Sequence, residues 1–240
     1  MESSPQPSRR KSVILLSGGL DSSANLAFAD YFDEVVLALT VDYGQRAVQP
    51  ELEAAKKFAD YYQVPHRVLD LRWLGALGGS ALTSDTIAVP QLKTAELDDA
   101  KVTADTAKAV WVPNRNGLLI NAAAAIAESM NAHQVVVGFN KEEAATFPDN
   151  SSQFLGVASL SLRYSTRNGV KVACYTDMMV KTEIVQALQN LPKRFPFEFV
   201  WSCYTGGGAA GRHFKMCGEC ESCKRFLRAT EGVSIERKSP

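Results

Sequence analysis

The sequence has no long apolar run and no excess of charge of either sign. None of its apolar stretches approaches the roughly 18 residues that would indicate a membrane span, so no membrane partner is expected. Lys plus Arg and Asp plus Glu both number 26, and this balance favours a small-molecule substrate over direct binding of nucleic acid. Residues 1–11 contain no apolar segment of the kind found in secretory signals, which predicts a flexible tail and a cytoplasmic protein.

Cysteine is scarce, with five among 240 residues, yet three of the five lie within residues 217–223. This crowding argues against a disulfide framework and favours a metal site. Four thiolates at this spacing can close a tetrahedron around zinc without leaving an open position, which predicts a structural site. The predicted ligands are Cys203, Cys217, Cys220 and Cys223. An iron–sulfur cluster is an alternative, and so is replacement of one thiolate by His213.

The turn after the first predicted strand lacks both common phosphate signatures, a Gly-Lys-Ser/Thr ending and G-x-G-x-x-G. It reads instead Ser17-Gly18-Gly19-Leu20-Asp21-Ser22-Ser23, between the apolar residues 13–16 and a helical pattern that begins near Ala24. This pattern predicts a buried strand that turns sharply into a helix. Glycines permit close approach of a ligand, and unpaired amides at a helix N-terminus attract an anion, so we predict a phosphate site.

Asp21 is unusual in a phosphate site because a carboxylate repels the ligand unless a divalent cation lies between them. Magnesium together with a nucleotide satisfies this requirement. The alternative interpretation is that Asp21, Ser22 or Ser23 is simply a helix N-cap.

Apolar runs typical of strands alternate with helical patterns along most of the chain. Strands are predicted at 13–16, 35–41, 67–71, 134–138 and 170–175, and helices near 24–31, 50–62, 118–130, 154–162 and 181–191. This alternation predicts an α/β fold with a doubly wound parallel sheet. Residues 75–110 show no regular pattern and are interpreted as a lid or a disordered insertion. The predicted division is a tail at 1–11, an α/β domain at 12–200 and a cysteine segment at 201–240.

The glycine turn resembles the pyrophosphate loop of the ATP pyrophosphatases, which activate a substrate by transferring AMP to it. Further motifs, together with the terminal cysteines, extend the resemblance over nearly the whole chain to the 7-cyano-7-deazaguanine synthase family. These motifs are Asp42-Tyr43-Gly44-Gln45-Arg46, Val112-Pro113-Asn114-Arg115-Asn116, Lys181-Thr182-Glu183-Ile184 and Trp201-Ser202-Cys203-Tyr204.

The resemblance implies a Rossmann-like fold of the adenine nucleotide alpha hydrolase type with a C-terminal zinc module. It implies an ATP-dependent carbon–nitrogen ligase that converts 7-carboxy-7-deazaguanine and ammonia, through an amide, to 7-cyano-7-deazaguanine for queuosine-type tRNA modification. ATP, Mg²⁺ and Zn²⁺ are the implied cofactors, and a homodimer is the implied assembly.

The resemblance also implies roles for individual residues. The residues implied to bind ATP are Leu16, Ser17, Gly18, Gly19, Leu20, Asp21, Ser22 and Ser23. Those implied to bind the substrate are Asp42, Gln45, Arg46, Asn114, Arg115, Asn116 and Asp149. The implied catalytic residues are Asp21, Lys181 and Arg115. Several of these positions are equally compatible with ordinary turn, capping or solvated residues.

Two segments depart from the family pattern. Residues 142–150 read Glu-Glu-Ala-Ala-Thr-Phe-Pro-Asp-Asn, where many members have Asp-x-Ser-Gly-Tyr-Pro-Asp-Cys, and a glycine-rich insertion at 206–211 is predicted to be a flexible loop. A related enzyme with another acceptor, such as a tRNA thiolase, is therefore an alternative. Its catalytic cysteine could only be Cys174, which is more simply a core residue.

A module that binds nucleotide or RNA without catalysis is the remaining alternative. It would use the basic residues near the cysteines, which are Arg212, Lys215, Lys224, Arg225 and Arg228.

Overall fold

Five parallel strands form the central sheet of the computed structural model, which describes residues 9–206, 208–210 and 213–235. The strands are β1 (Lys11–Leu15), β2 (Glu34–Asp42), β3 (His66–Asp70), β4 (Gln134–Val136) and β5 (Lys171–Ala173). Their order in the sheet is β3-β2-β1-β4-β5. The chain runs outward from β1 to β3 and then returns to the other side of β1, which confirms the predicted doubly wound sheet. The order in which the chain adds strands to the sheet reverses between β1 and β4. Sheets of this kind bind ligands at such a point, beside the carboxyl ends of the strands.

Helices cover both faces of the sheet because successive side chains of a strand point to opposite sides. Ile14 packs in a core with Phe58 and Ile184, whereas Val13 packs in a second core with Ile120 and others. The helices are α1 (Leu20–Phe32), α2 (Val48–Tyr62), α3 (Ala100–Ala109), α4 (Arg115–Ser129), α5 (Lys141–Ala144), α6 (Ser152–Ser165), α7 (Lys181–Gln189) and α8 (Glu221–Ala229). No helix among the described residues is long and apolar enough to cross a bilayer.

The segment 75–110 contains regular structure, so its interpretation as a disordered insertion is wrong, whereas the lid interpretation stays a prediction. It contains α3, whose N-cap Asp99 accepts hydrogen bonds from the backbone N–H groups of Lys101 and Val102 at 2.9 and 3.1 Å. Leu82 and Val110 help to form a small apolar core there. The helical pattern escapes notice in the sequence because α3 consists mostly of Ala, Thr and charged residues.

The cysteine segment packs directly on the α/β domain. Phe226 of α8 is buried in the same core as Ile14, and α8 itself was not anticipated from the sequence. Part of the glycine-rich segment, residues 207, 211 and 212, lies outside the described residues. Next to it, β6 (Gly208–Ala210) and β7 (His213–Lys215) pair antiparallel. The division of the chain at residue 200 stays a prediction.

Candidate active site

A cleft of about 260 Å³ opens beside the carboxyl ends of β1, β2 and β4. It therefore lies at the point where the strand order reverses. Its walls include Leu39, Thr40 and Val41 from β2 and Gly138, which follows β4. The sequence-predicted residues that line it are Leu16, Ser17, Gly19, Leu20, Asp21, Ser22, Gln45, Arg115, Asn116, Lys181 and Cys203.

The glycine turn between β1 and α1 is packed too closely for a side chain at Gly18. Gly18 has φ +79°, and a Cβ atom there would lie 2.5 Å from the Cβ of Ala54 and 2.9 Å from the backbone N of Ala55. A Cβ on Gly138 would lie 2.4 Å from the backbone N of Ser22. Helix α2 and the end of β4 thus clamp the turn from two sides, and only glycine fits at either position.

No side chain of the described residues caps the N-terminus of α1. Gly19 is the N-cap, and Asp21, Ser22 and Ser23 lie inside the helix, which excludes the interpretation of these residues as caps. The Oγ of Ser22 accepts a hydrogen bond from the N–H of Ser17 at 3.2 Å and lies 3.0 Å from the Ser17 Oγ. The turn is therefore closed by its own serines, and the first amides of α1 remain for an anionic ligand.

Lys181, the first residue of α7, joins two carboxylates in the cleft. Its Nζ contacts the Oδ2 of Asp21 and lies 3.0 Å from the Oε1 of Glu143. All three side chains line the cleft, and that of Lys181 is only 8% exposed. The Oδ1 of Asp21 is buried and has no hydrogen-bond partner among the described residues, so this oxygen can accept a donor or a cation. Glu143 was not predicted as a site residue.

The pKa values of Asp21, Glu143 and Lys181 depend on the charges of neighbouring groups in this cluster. Burial raises the pKa of Asp21 to about 6, although the charge of Lys181 opposes this rise. Burial alone would lower the pKa of Lys181, but the charges of Asp21 and Glu143 outweigh burial and raise it. Burial would also raise the pKa of Glu143, but the charge of Lys181 and the hydrogen bonds from Lys181 and Asn140 together outweigh burial and lower that pKa. Lys181 therefore carries its positive charge at neutral pH.

Arg115 faces the cleft from the first turn of α4. Its guanidinium carbon lies 5.8 Å from the centre of the Tyr43 ring, and its Nε donates to the Oδ1 of Asn116 at 3.3 Å. The Nδ2 of Asn116 donates in turn to the backbone carbonyl of Asp149 at 3.3 Å. Asn114 precedes the helix with a φ of 50° and no capping side-chain bond. Arg115 and Asn116 are thus the members of this motif that reach the cleft.

Gln45 binds the carboxyl group of Glu51, a cleft residue that the sequence motifs do not indicate. Its Nε2 donates to the Oε2 of Glu51 at 2.8 Å and to the carbonyl of Val41 at 3.1 Å, and its Oε1 accepts from the N–H of Tyr43 at 2.9 Å. Burial raises the pKa of Glu51 to about 7. In the sequence, Pro50 and Glu51 indicate only the start of a helix, and nothing there signals that this helix faces the cleft.

The other predicted nucleotide and substrate residues do not line the cleft; they are Gly18, Ser23, Asp42, Arg46, Asn114 and Asp149. Asp42 accepts a hydrogen bond from the N–H of Gly44 at 2.9 Å, as expected for a turn residue. Arg46 forms an ion pair with Asp85 at 3.0 Å, and this pair ties the turn after β2 to the segment 75–110. Asp149 lies behind the cleft wall, where burial raises its pKa and the charge of Arg115 opposes the rise.

The four predicted cysteine ligands come together. All four Sγ atoms lie within 4.8 Å of one another, and those of Cys217 and Cys223 are 3.8 Å apart. A tetrahedral ion with metal–sulfur bonds of about 2.3 Å needs sulfurs about 3.8 Å apart. The Sγ of Cys217 also accepts from the N–H groups of Glu219 and Cys220 at 3.5 and 3.4 Å, which would stabilise a thiolate. The four sulfurs fit one ion without His213.

The cysteine site adjoins the glycine turn. The backbone N–H of Trp201 donates to the carbonyl of Gly18 at 2.9 Å, and Cys203 lines the cleft. An ion bound by the cysteines would therefore hold the segment that supports one wall of the cleft. The site has no open coordination position, so its role there would be structural.

The basic residues near the cysteines are largely occupied by partners within the chain. Lys224 donates to a backbone carbonyl, and Arg225 forms an ion pair with Glu142 at 2.9 Å. Arg228 lies 3.3 Å from the same carboxylate, whereas Arg212 is outside the described residues. The RNA-binding interpretation therefore loses most of the cations that motivated it.

Cys174 does not line the cleft. Its Sγ donates to the carbonyl of Phe139 at 3.4 Å, and burial raises its pKa. A thiol in this state is a poor nucleophile, which removes the basis of the thiolase interpretation.

Comparison with known proteins identifies the family. The family model described as "Queuosine biosynthesis protein QueC" matches residues 11–233. The chain is 49% identical over 224 residues to the 7-cyano-7-deazaguanine synthase of Desulforamulus reducens, covering 93% of this chain and 95% of the relative. It is 49% identical over 228 residues to the 7-cyano-7-deazaguanine synthase of Pelotomaculum thermopropionicum, covering 94% of this chain and 100% of the relative. It is 47% identical over 230 residues to that of Bdellovibrio bacteriovorus, covering 95% of this chain and 96% of the relative.

A solved structure, the U34-tRNA thiolase NcsA of Methanococcus maripaludis, matches with 13% identity and a TM-score of 0.42, covering 97% of this chain and 76% of the thiolase. A likeness this distant says nothing about activity. The resemblance seen in the motifs is confirmed by the family match, which spans almost the whole described chain. The chain therefore belongs to the QueC family of queuosine biosynthesis proteins.

Proposed function

We propose that this protein is an ATP-dependent 7-cyano-7-deazaguanine synthase, which converts 7-carboxy-7-deazaguanine and ammonia to the nitrile. The names of relatives that are up to 49% identical over most of the chain support the proposal. The structural observation that carries it is the pairing of Lys181 with Asp21 at the uncapped N-terminus of α1. This arrangement combines amide donors, a cation and a carboxylate, which Mg-ATP requires.

In this proposal the glycine turn binds the β- and γ-phosphates of ATP. The amides of α1 and the Nζ of Lys181 neutralise the charge that develops on pyrophosphate as it leaves. The unpartnered Oδ1 of Asp21 fits a Mg²⁺ ion, and Glu143 offers a second carboxylate beside it. When bound, Mg²⁺ would supply further stabilisation of phosphate charge. Lys181 would then exchange some of its contacts with Asp21 and Glu143 for contacts with phosphate.

ATP is needed because a carboxylate is a poor electrophile whose oxygen does not leave. Transfer of AMP to the acid forms an acyl adenylate and releases pyrophosphate, and ammonia displaces AMP to form an amide. Activation of the amide oxygen in the same way allows loss of that oxygen and of the N–H protons, which leaves the nitrile. Arg115 is suited to hold the carboxylate of the acid, because a guanidinium binds carboxylates in bidentate geometry and Arg115 is fixed by Tyr43 and Asn116.

Zinc is our proposed occupant of the cysteine site. An iron–sulfur cubane places four irons between its cysteines and holds their sulfurs further apart than a single ion does, so sulfurs within 4.8 Å of one another favour one ion. A reducing compartment keeps such thiolates available, which supports a cytoplasmic location. The homodimer stays a prediction that sedimentation can test.

The test is incubation of the metal-loaded protein with Mg-ATP, ammonium and 7-carboxy-7-deazaguanine, followed by mass spectrometry of products. We expect amide, then nitrile, together with AMP and pyrophosphate. An Asp21→Asn variant should lose at least about 100-fold in rate, because it removes the charge that faces Mg²⁺. A Glu53→Gln variant, which changes an exposed carboxylate on α2, is the matched control. Turnover of a different acid, without turnover of the deazapurine, would retain adenylation and refute the proposed substrate.

A further inference from the structure

Three carboxyl groups line the cleft, and one of them has no cationic partner. Asp21 and Glu143 both contact Lys181. Glu51, by contrast, forms no ion pair within 4.0 Å in the described part of the chain, and its contact with Gln45 is a bond to a neutral amide. The Oε1 of Glu51 has no hydrogen-bond partner among the same residues. A carboxyl group in a largely buried position with free acceptor capacity attracts a donor or a small cation.

The carboxyl group of Glu51 is oriented by the side chain of Gln45, which is itself held by the backbone. Gln45, which donates to Glu51, is anchored by the carbonyl of Val41 and the N–H of Tyr43 at the end of β2. The carbonyl of Glu51 lies 3.1 Å from the place that a Cβ on Gly18 would occupy. Glu51 therefore sits in the wall beside the turn that we propose to hold pyrophosphate, and its orientation is set before any ligand binds.

The charged groups around Glu51 are few. Burial is the main cause of its raised pKa of about 7, the bond from Gln45 and the charge of Arg115 oppose the rise, and the charge of Asp42 adds to it. Tyr43, whose own pKa is raised by burial, also interacts with Glu51. A carboxyl group that titrates near neutral pH can both accept and release a proton under working conditions.

The proposed reaction needs such a group at one step. At neutral pH, ammonia is present mainly as the ammonium ion, which has no lone pair and cannot attack an acyl carbon. We propose that Glu51 binds the ammonium ion in the cleft and accepts the proton that must leave before nitrogen attacks. This inference rests on the proposed function and adds to it the binding site and the proton acceptor for the nitrogen substrate.

Transfer of nitrogen from ammonium to the acyl carbon conserves all atoms and electrons. One N–H bond of ammonium breaks, its electron pair stays on nitrogen, and the proton moves to the carboxylate of Glu51. Nitrogen then forms a bond to the acyl carbon, and the bond from that carbon to the AMP oxygen breaks, with its electron pair leaving on AMP. The surplus proton on the new amide nitrogen passes to solvent, and Glu51 returns its proton to solvent before the next turnover.

The test compares two nucleophiles in wild type and Glu51→Gln at pH 7.5. Hydroxylamine is largely unprotonated at this pH and needs no proton acceptor before attack. We expect Glu51→Gln to lower ammonium-dependent amide formation by about 100-fold or more, and hydroxamate formation by only a few-fold. Glu51→Asp, which keeps the charge, should recover part of the ammonium reaction, and Glu53→Gln on the same helix should match wild type. Circular dichroism checks the fold of each variant.

Exchange of pyrophosphate into ATP, measured with the acid but without ammonium, separates the two proposals. If wild type shows no exchange, the proposed function fails and the inference fails with it. If exchange occurs but Glu51→Gln uses ammonium as well as wild type does, only the inference is refuted. Equal losses with ammonium and hydroxylamine would also refute it, because they would indicate damage to the cleft rather than loss of a proton acceptor.

Discussion

Glu142 and Arg225 form an ion pair, with the Oε2 of Glu142 2.9 Å from the Nη1 of Arg225. Both side chains are largely buried, at 14% and 10% exposure. The other carboxylate oxygen, Oε1, accepts the backbone N–H of Lys181 at 2.8 Å. Because Arg225 belongs to α8 and Lys181 begins α7, one carboxylate connects the helix of the cysteine site to the helix that carries the lysine of the cleft.

Replacement of Glu142 by Gln should destabilise the protein by about 2 kcal/mol, because Arg225 would lose one of its two carboxylate partners while it keeps Glu221. Urea unfolding measures the change in free energy. The control is Lys56→Met, which breaks the exposed pair with Asp60 and should cost less than about 1 kcal/mol. Equal stability of Glu142→Gln and wild type would contradict the assigned role of this pair.

Replacement of Gly18 by Ala should both destabilise the fold and weaken ATP binding. The positive φ alone costs an alanine about 1 kcal/mol or more, and its Cβ would overlap that of Ala54 and push α2 away from the turn. The matched control is Gly156→Ala in α6, where a Cβ meets nothing within 4 Å and should stabilise the helix by about 0.5–1 kcal/mol. Thermal unfolding and ATP titration of both variants check the prediction, and tight ATP binding by Gly18→Ala would oppose the assigned phosphate site.

The carboxyl group of Glu51 should make stability fall as pH rises from about 4.5 to about 7. Its pKa is about 7 in the folded protein and 4.5 ordinarily, so the folded state holds the proton more tightly over this window. The unfolded state binds fewer protons there, and the contribution of Glu51 to the free energy of unfolding declines by up to about 1.4 kcal/mol per pH unit.

Chemical denaturation at several pH values, compared between wild type and Glu51→Gln, isolates this contribution. The difference between the two curves should change across pH 4.5–7 and become constant above it. A difference that does not vary with pH would indicate that the pKa of Glu51 is not raised.

Removal of metal from the cysteine site should loosen α8 and the cleft together. Cys220 is the N-cap of α8 and Cys223 lies in its first turn, while Phe226 anchors the same helix in the main core. We expect a strong chelator to lower the Tm by roughly 10 °C and to weaken ATP binding. Cys174→Ser should respond to the chelator as wild type does, because this cysteine is outside the cluster.

Metal analysis of the purified protein identifies the ion. A colourless protein with one zinc per chain agrees with our proposal. A brown protein with iron and sulfide would contradict it and restore the iron–sulfur alternative.

Much of the cleft could not be predicted from the sequence because its contacts join distant parts of the chain. Lys181 and Asp21, which pair in the cleft, are 160 residues apart. Glu143 joins them from the segment 142–150, whose sequence departs from the family pattern and does not indicate this residue as part of a site. Local patterns also could not predict that Asp42 accepts a hydrogen bond within its own turn and that Arg46 pairs with Asp85. The sequence at the end of a strand does not indicate in which direction its side chains point.

The sequence by itself determined the parallel sheet, the strand–turn–helix around Gly18 and Gly19 and the choice of the four cysteines that lie close together. Each of these depends on residues close together in the chain or on the alternation of apolar runs, which short-range sterics and burial enforce. Only the tertiary structure decided that Lys181 lies between Asp21 and Glu143, and that Glu51 faces the cleft without an ion-pair partner in the described part of the chain. Those relationships depend on how helices pack on the sheet, and that packing is fixed by the whole core rather than by any local pattern.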